Sequence, residues 1–147
     1  MLDWSKKEGE VLKIGLIVLM IASVSVYCYS QESPEFKACS RGNNTQSQLN
    51  RCASEEAARI DEARHKMYQR VEAQFRGNAV ALAKLKDEEN AWVRYRDAYI
   101  AAMYPAEDKQ AEYGSVFPME VDLLIAQLTR EHIEALQAIL RGYVPTN

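Results

Sequence analysis

The sequence predicts an all-α protein, a small antiparallel bundle of three long helices with an N-terminal arm pinned by one disulfide. Three observations carry this. Apolar or small side chains recur at steps of three and four over three long stretches, which is one stripe per helix. No run has the two-residue alternation of a useful strand. The 147 residues hold only six Gly and four Pro, too few for a sandwich of many tight turns. At 48% apolar and 27% charged, the chain can bury a core, and its length fits one domain plus a short appendage.

Residues 1–30 form the appendage. Asp3, Glu8 and Glu10 balance Lys6, Lys7 and Lys13, and an uncharged apolar stretch then runs from Ile14 to Tyr29. Lysines in front and small residues near its end give it the form of an export signal, with Cys28 and Ser30 at a small-residue cleavage site. The alternative is an uncleaved membrane anchor, with Trp4 and Tyr27/Tyr29 at the two interfaces. Either places residues 31–147 outside the cytoplasm, in the periplasm or cell envelope. Two cysteines then remain in the domain, and in an oxidising compartment Cys39 and Cys52 read as one disulfide. If residues 1–30 are not an export signal, the alternative is two free thiols.

Residues 31–44, with Pro34, Gly42 and two Asn, read as an irregular lead-in. Thr45-Gln-Ser-Gln48 has capping-box spacing and starts the first helix. Its stripe is Leu49, Cys52, Ala53, Ala57, Ile60, Ala63, Met67, Val71 and Phe75, and Gly77-Asn78 ends it. The second helix spans about Ala79 to Tyr104, with Leu82, Leu85, Ala91 or Trp92, Tyr95, Tyr99 and Met103 as its stripe and Pro105 as its stop. Residues 105–117 read as a loop. The third helix begins near Pro118 and carries Val121, Leu124, Ile125, Leu128, Ile133 (or His132), Leu136, Ile139 and Leu140. Gly142 closes it. Three such stripes, each too narrow to stand in water, are expected to share one core.

Several strings together resemble a known family. Cys39, Thr45, Leu49-Asn50-x-Cys52, Asp61 and Tyr68 are similar to the start of the LprI-type lysozyme-inhibitor domain. Leu85 and Ala91-Trp92-x-x-Tyr95-Arg96-Asp97-Ala98 resemble its most recognisable stretch. Gly114-Ser115, Pro118 and Leu128-Thr129 resemble its third segment. The resemblance implies an exported, mostly helical domain; some members inhibit lysozyme, and the family supplies no catalytic centre. Two departures stand out. A second cysteine pair typical of the family is replaced here by Ile100 and Leu124, which fits a packed contact in place of a bridge. A Leu-Asn common between the Asp61 and Tyr68 positions is Arg64-His65, which makes that helix surface basic.

Catalytic chemistry finds little support. Glu62-x-x-His65 has the spacing of half a carboxylate-bridged di-metal site, but His132 supplies no second pair, so exposed helix-surface residues are expected and no metal. Glu55-Glu56 and Asp87-Glu88-Glu89 read as solvated acidic faces near helix starts. No nucleophile has a base beside it, and no glycine-rich phosphate loop exists. No cofactor is expected. Eighteen basic against 21 acidic residues give a net charge of −3, without the basic excess of a nucleic-acid binder.

What remains is recognition of a protein. Trp92, Tyr95, Arg96 and Asp97 are of the types that anchor interfaces. The competing role is core packing, with Arg96 paired to Asp61 across two helices. The loop adds Tyr104, Glu107, Asp108, Lys109, Tyr113 and Phe117 as candidate contacts. A lysozyme is the partner the resemblance implies, held by steric block of its muramidase cleft. The alternative is an envelope interaction module that does not inhibit lysozyme. Membrane contact is expected only through an uncleaved residue 1–30 segment.

Overall fold

The computed structural model describes residues 33–42 and 45–142. The expected export segment, with Cys28, lies outside the described residues. All regular structure among them is helical: α1 (Pro34–Ser40), α2 (Gln46–Gln74), α3 (Ala79–Met103), α4 (Lys109–Tyr113), a 3-10 turn (Gly114–Val116) and α5 (Phe117–Gly142). None of these helices is long and apolar enough to cross a membrane.

The lead-in is not irregular, because α1 occupies it. Pro34 sits in the first turn, where its missing N–H costs nothing, and Ser33 caps by accepting from the Phe36 N–H at 3.0 Å. The proline that reads as a breaker in the sequence is a helix starter. Phe36 is buried against Cys52 and Ala53, and the Cys39–Cys52 disulfide fastens the same contact. Closing this short loop stabilises the domain by about 3 kcal/mol through the unfolded chain.

The long helices begin and end where their caps predict. Thr45 and Gln48 form a reciprocal capping box on α2. Gly77 takes φ +91°, a left-handed conformation natural to glycine, and turns the chain into α3, whose N-cap is Asn78. Pro105 follows the end of α3.

Packing departs from three equal partners. Asn50 Nδ2 donates to the Ser115 carbonyl at 3.1 Å, Arg130 pairs with Glu56, and Gln74 Nε2 donates to the Leu140 carbonyl at 3.2 Å. These contacts ascend together along both segments, so α2 and α5 run parallel. α3 runs opposite to both: Leu85 packs with Val71, Phe75 and Leu136, whereas Glu89 reaches back to Arg64 and Glu88 to His132.

The core follows the α2–α5 seam. Ala53, Ala57 and Ala126 are buried there, and their small side chains let the two helices close on each other. Met67, Val71, Phe75, Leu85 and Leu136 fill the end nearest the α2–α3 turn. From α3 only Leu85 and Trp92 are buried. Leu82 is half-buried against the same core, and the second half of the stripe emerges: Tyr95 is 55% exposed, Tyr99 39% and Met103 54%. The expectation that the stripe lies in a shared core holds for Leu82, Leu85 and Trp92 and is corrected for Tyr95, Tyr99 and Met103. Alanines already fill the seam at that level, leaving no space for a third apolar face. Ala63 and Ala91 are exposed as well, and Ile100 and Leu124, at the lost bridge positions, are half-buried.

Candidate partner-binding face

Trp92 is the hinge between the packed and the emergent halves of α3. Its indole is buried and stacks on the His132 imidazole, with centroids 4.3 Å apart and planes 7° from parallel. Two guanidiniums lie over the same indole, Arg64 at 4.9 Å and Arg96 at 5.1 Å from its centroid. Core packing and a cationic surround thus coexist at one residue.

The ion pairing differs from the expected one. Arg96 pairs with its neighbour Asp97 at 2.7 Å, not with Asp61. Arg64 takes Asp61 instead, at 2.8 Å and one turn away on the same helix, and crosses to Glu89 on α3. Burial alone would loosen the Arg64 proton, but Asp61 and Glu89 outweigh it and hold the guanidinium charged. The Arg64 half of the basic pair is thus neutralised inside a helix contact. His65 is exposed, bonded to Gln69 at 3.0 Å, and Glu62 pairs with Lys66 at 3.2 Å, so that motif lies on the solvent side.

The acidic runs are not wholly solvated either. Glu55 and Asp87 are exposed as expected. Glu56 turns inward, its side chain only 1% exposed, and binds Arg59 at 2.8 Å and Arg130 from α5. Burial raises its pKa, yet hydrogen bonds from Arg59 and Ser33 and the charges of Arg59 and Arg130 bring the net value below the ordinary carboxyl range. Glu88 and Glu89 are half-buried between helices. In each case a partner arrives from another helix, Arg130 for Glu56, His132 for Glu88 and Arg64 for Glu89, which a local charge count does not register.

Beside Trp92 a groove of about 370 Å³ opens between α3 and α5. Trp92 and His132 contribute aromatic surface, Leu128 an aliphatic wall, and Glu88 and Glu131 carboxylates. Tyr95 stands at its edge and leads onto an exposed stripe, with the Tyr95 and Tyr99 rings 5.9 Å apart and Met103 one turn further. Apolar side chains so exposed and so regularly spaced mark a surface able to bury against a partner.

The segment expected to be a free loop is a built turn. Tyr104, Tyr113 and Phe117 pack edge-on and stacked, with centroids 5.1 to 5.6 Å apart. Burial, then the nearby Glu120 carboxylate, pushes the Tyr104 phenol up. Lys109 donates to the carbonyls of Tyr104 and Ala106, and Asp108 caps α4. Of the six candidates in this segment, five therefore hold the turn together. Glu107 and Asp108 remain exposed at its tip.

A family model described as lysozyme inhibitor LprI matches residues 37–136. The chain belongs to the LprI family. In this LprI chain the match runs from within α1 through most of α5, so it spans the disulfide, the Trp92 cluster and the 104–117 turn together. No curated protein and no solved structure matches the chain. The Trp-x-x-Tyr-Arg-Asp string of this LprI chain divides by role: Trp92 is buried, Tyr95 is exposed, and Arg96 with Asp97 forms a local pair. Sequence reasoning set His132, Glu88 and Glu89 aside and did not single out Arg130. Their partners lie 25 to 74 residues away, and periodicity carries no signal for such pairings.

Proposed function

We propose that this LprI-family chain is an exported binding protein that inhibits a lysozyme by occupying its muramidase cleft, without covalent chemistry. The observation that carries this is the family match over residues 37–136. The emergent Tyr95–Tyr99–Met103 stripe supports it, because aromatic and Met side chains are enriched where interfaces bury most energy. We take this stripe and the adjoining groove as the contact face, with the acidic tip Glu107–Asp108 facing the basic surface common among lysozymes. Residues 1–30 are assigned to export or anchoring from their uncharged apolar stretch behind a lysine-containing start.

The test is calorimetric titration of the full chain into chicken-, goose- and invertebrate-type lysozymes, alongside Tyr99→Ala and Met103→Ala. One-to-one binding to one type, weakened about tenfold or more by each substitution, is the expected result. Binding undiminished in both variants would move the contact face elsewhere. Binding to none would leave the envelope interaction module in its place.

A further inference from the structure

One cluster at the groove beside Trp92 holds buried polar atoms that neither the packing nor the proposed contact face satisfies. Glu88 and Glu89 on α3 and His132 on α5 each bring a metal-ligating type of atom within 4.8 Å of the other two. The His132 side chain is 2% exposed, and its Nε2 lies 2.9 Å from Glu88 Oε1. Arg64 occupies one oxygen of Glu89. Left over are Glu88 Oε2, Glu89 Oε2 and His132 Nδ1, all buried and without a hydrogen-bond partner. Protein interiors pair such groups or coordinate them to an ion. Two carboxylate oxygens do not satisfy each other, since neither has a proton to give once ionised.

The charges agree. The carboxylates of Asp61, Glu88 and Glu89 outnumber the single guanidinium of Arg64 by two, and Arg96 is already paired with Asp97.

We propose that Glu88, Glu89 and His132 bind one divalent transition-metal ion of the zinc type. One imidazole nitrogen and two carboxylate oxygens form a donor set that such an ion accepts with a further position open. Ligands about 2.0–2.2 Å from one ion stand at most roughly 4.4 Å apart, so small side-chain rotations close the site. Stacking on Trp92 fixes the imidazole plane, and the Arg64 contact steadies Glu89; both are positioning partners. Glu88 and His132 also line the groove, so the cluster lies beside a surface opening. A bound ion would tie α3 to α5 where the exposed stripe begins. It would also supply the cation that these orphaned oxygens lack.

The test uses the full chain, stripped with a chelator and titrated with zinc chloride, followed by calorimetry and by thermal unfolding. One ion per chain is expected, with Tm rising on the order of 10 °C at a hundredfold excess over Kd. Glu88→Gln keeps the shape and removes the charge, and His132→Gln removes the nitrogen. Each is expected to weaken zinc binding more than about tenfold. His65→Gln, which alters the exposed imidazole, should bind as the parent does. Circular dichroism of the metal-free variants reports folding, and Glu89→Gln replaces any variant that fails to fold. No heat and no Tm change in the parent at roughly millimolar zinc would overturn the assignment. So would equal affinity in Glu88→Gln and His132→Gln, which would place the ion elsewhere.

Discussion

Glu56→Gln probes the polar contact that joins three helices. Glu56 is buried on α2, and its carboxylate accepts from Arg59 at 2.8 to 3.1 Å and from Arg130 of α5. Arg59 also reaches Glu35 on α1 at 3.2 Å. A fully buried pair broken on one side costs about 3–5 kcal/mol. Here Arg59 and Arg130 are 43% and 34% exposed, so both regain water when the charge is removed. Glutamine also keeps one acceptor oxygen. The loss should therefore sit near the strength of one charge-assisted hydrogen bond, about 2 kcal/mol. That corresponds to a Tm decrease of about 8 °C for a domain of this size.

The assay is urea unfolding of parent and variant across pH. The folded Glu56 carboxyl titrates below its ordinary value of 4.5. Its contribution is complete above the unfolded value and is lost as pH falls through the folded one. The parent should lead Glu56→Gln by about 2 kcal/mol at pH 7 and lose that lead progressively below pH 4.5. Equal midpoints at neutral pH would refute the energetic role given to the contact. A lead unchanged down to about pH 2 would refute its electrostatic origin.

Other outcomes follow from the same packing. Leu136→Ala, at a fully buried core position between α2 and α3, should cost about 3 kcal/mol in urea unfolding. Replacing Cys39 and Cys52 together with alanine should cost a similar amount, with loss of the α1 contact seen as faster proteolysis before Gln46. Tyr99→Ala should change stability by less than about 0.5 kcal/mol, because Tyr99 is an exposed side chain outside the core clusters. A large destabilisation there would mean that the stripe is structural.

Much of the fold was legible because helix ends carry local chemistry. Thr45 with Gln48, Gly77-Asn78 and Pro105 each act within a few residues, and each appears where expected. The stripes on α2 and α5 were legible for the same reason. The second half of α3 was not, since Tyr95, Tyr99 and Met103 have helical spacing whether or not anything covers them. What leaves them uncovered is the close seam at Ala53, Ala57 and Ala126, small residues that a hydrophobicity pattern weighs lightly. Pro34 permits two opposite outcomes, and Ser33 decides between them by capping. Of the candidate contacts, Tyr95 is exposed, whereas Trp92 is buried and Tyr104, Tyr113 and Phe117 brace a turn. Exposure depends on what packs opposite, which no local window contains.

The most direct test of the central claim is a cell-wall lysis assay, with the full chain titrated against chicken-, goose- and invertebrate-type lysozymes. Inhibition of one type that saturates near one chain per enzyme, and that Tyr99→Ala relieves, is the predicted result. Undiminished lysis by all three types at large excess of the chain would contradict it.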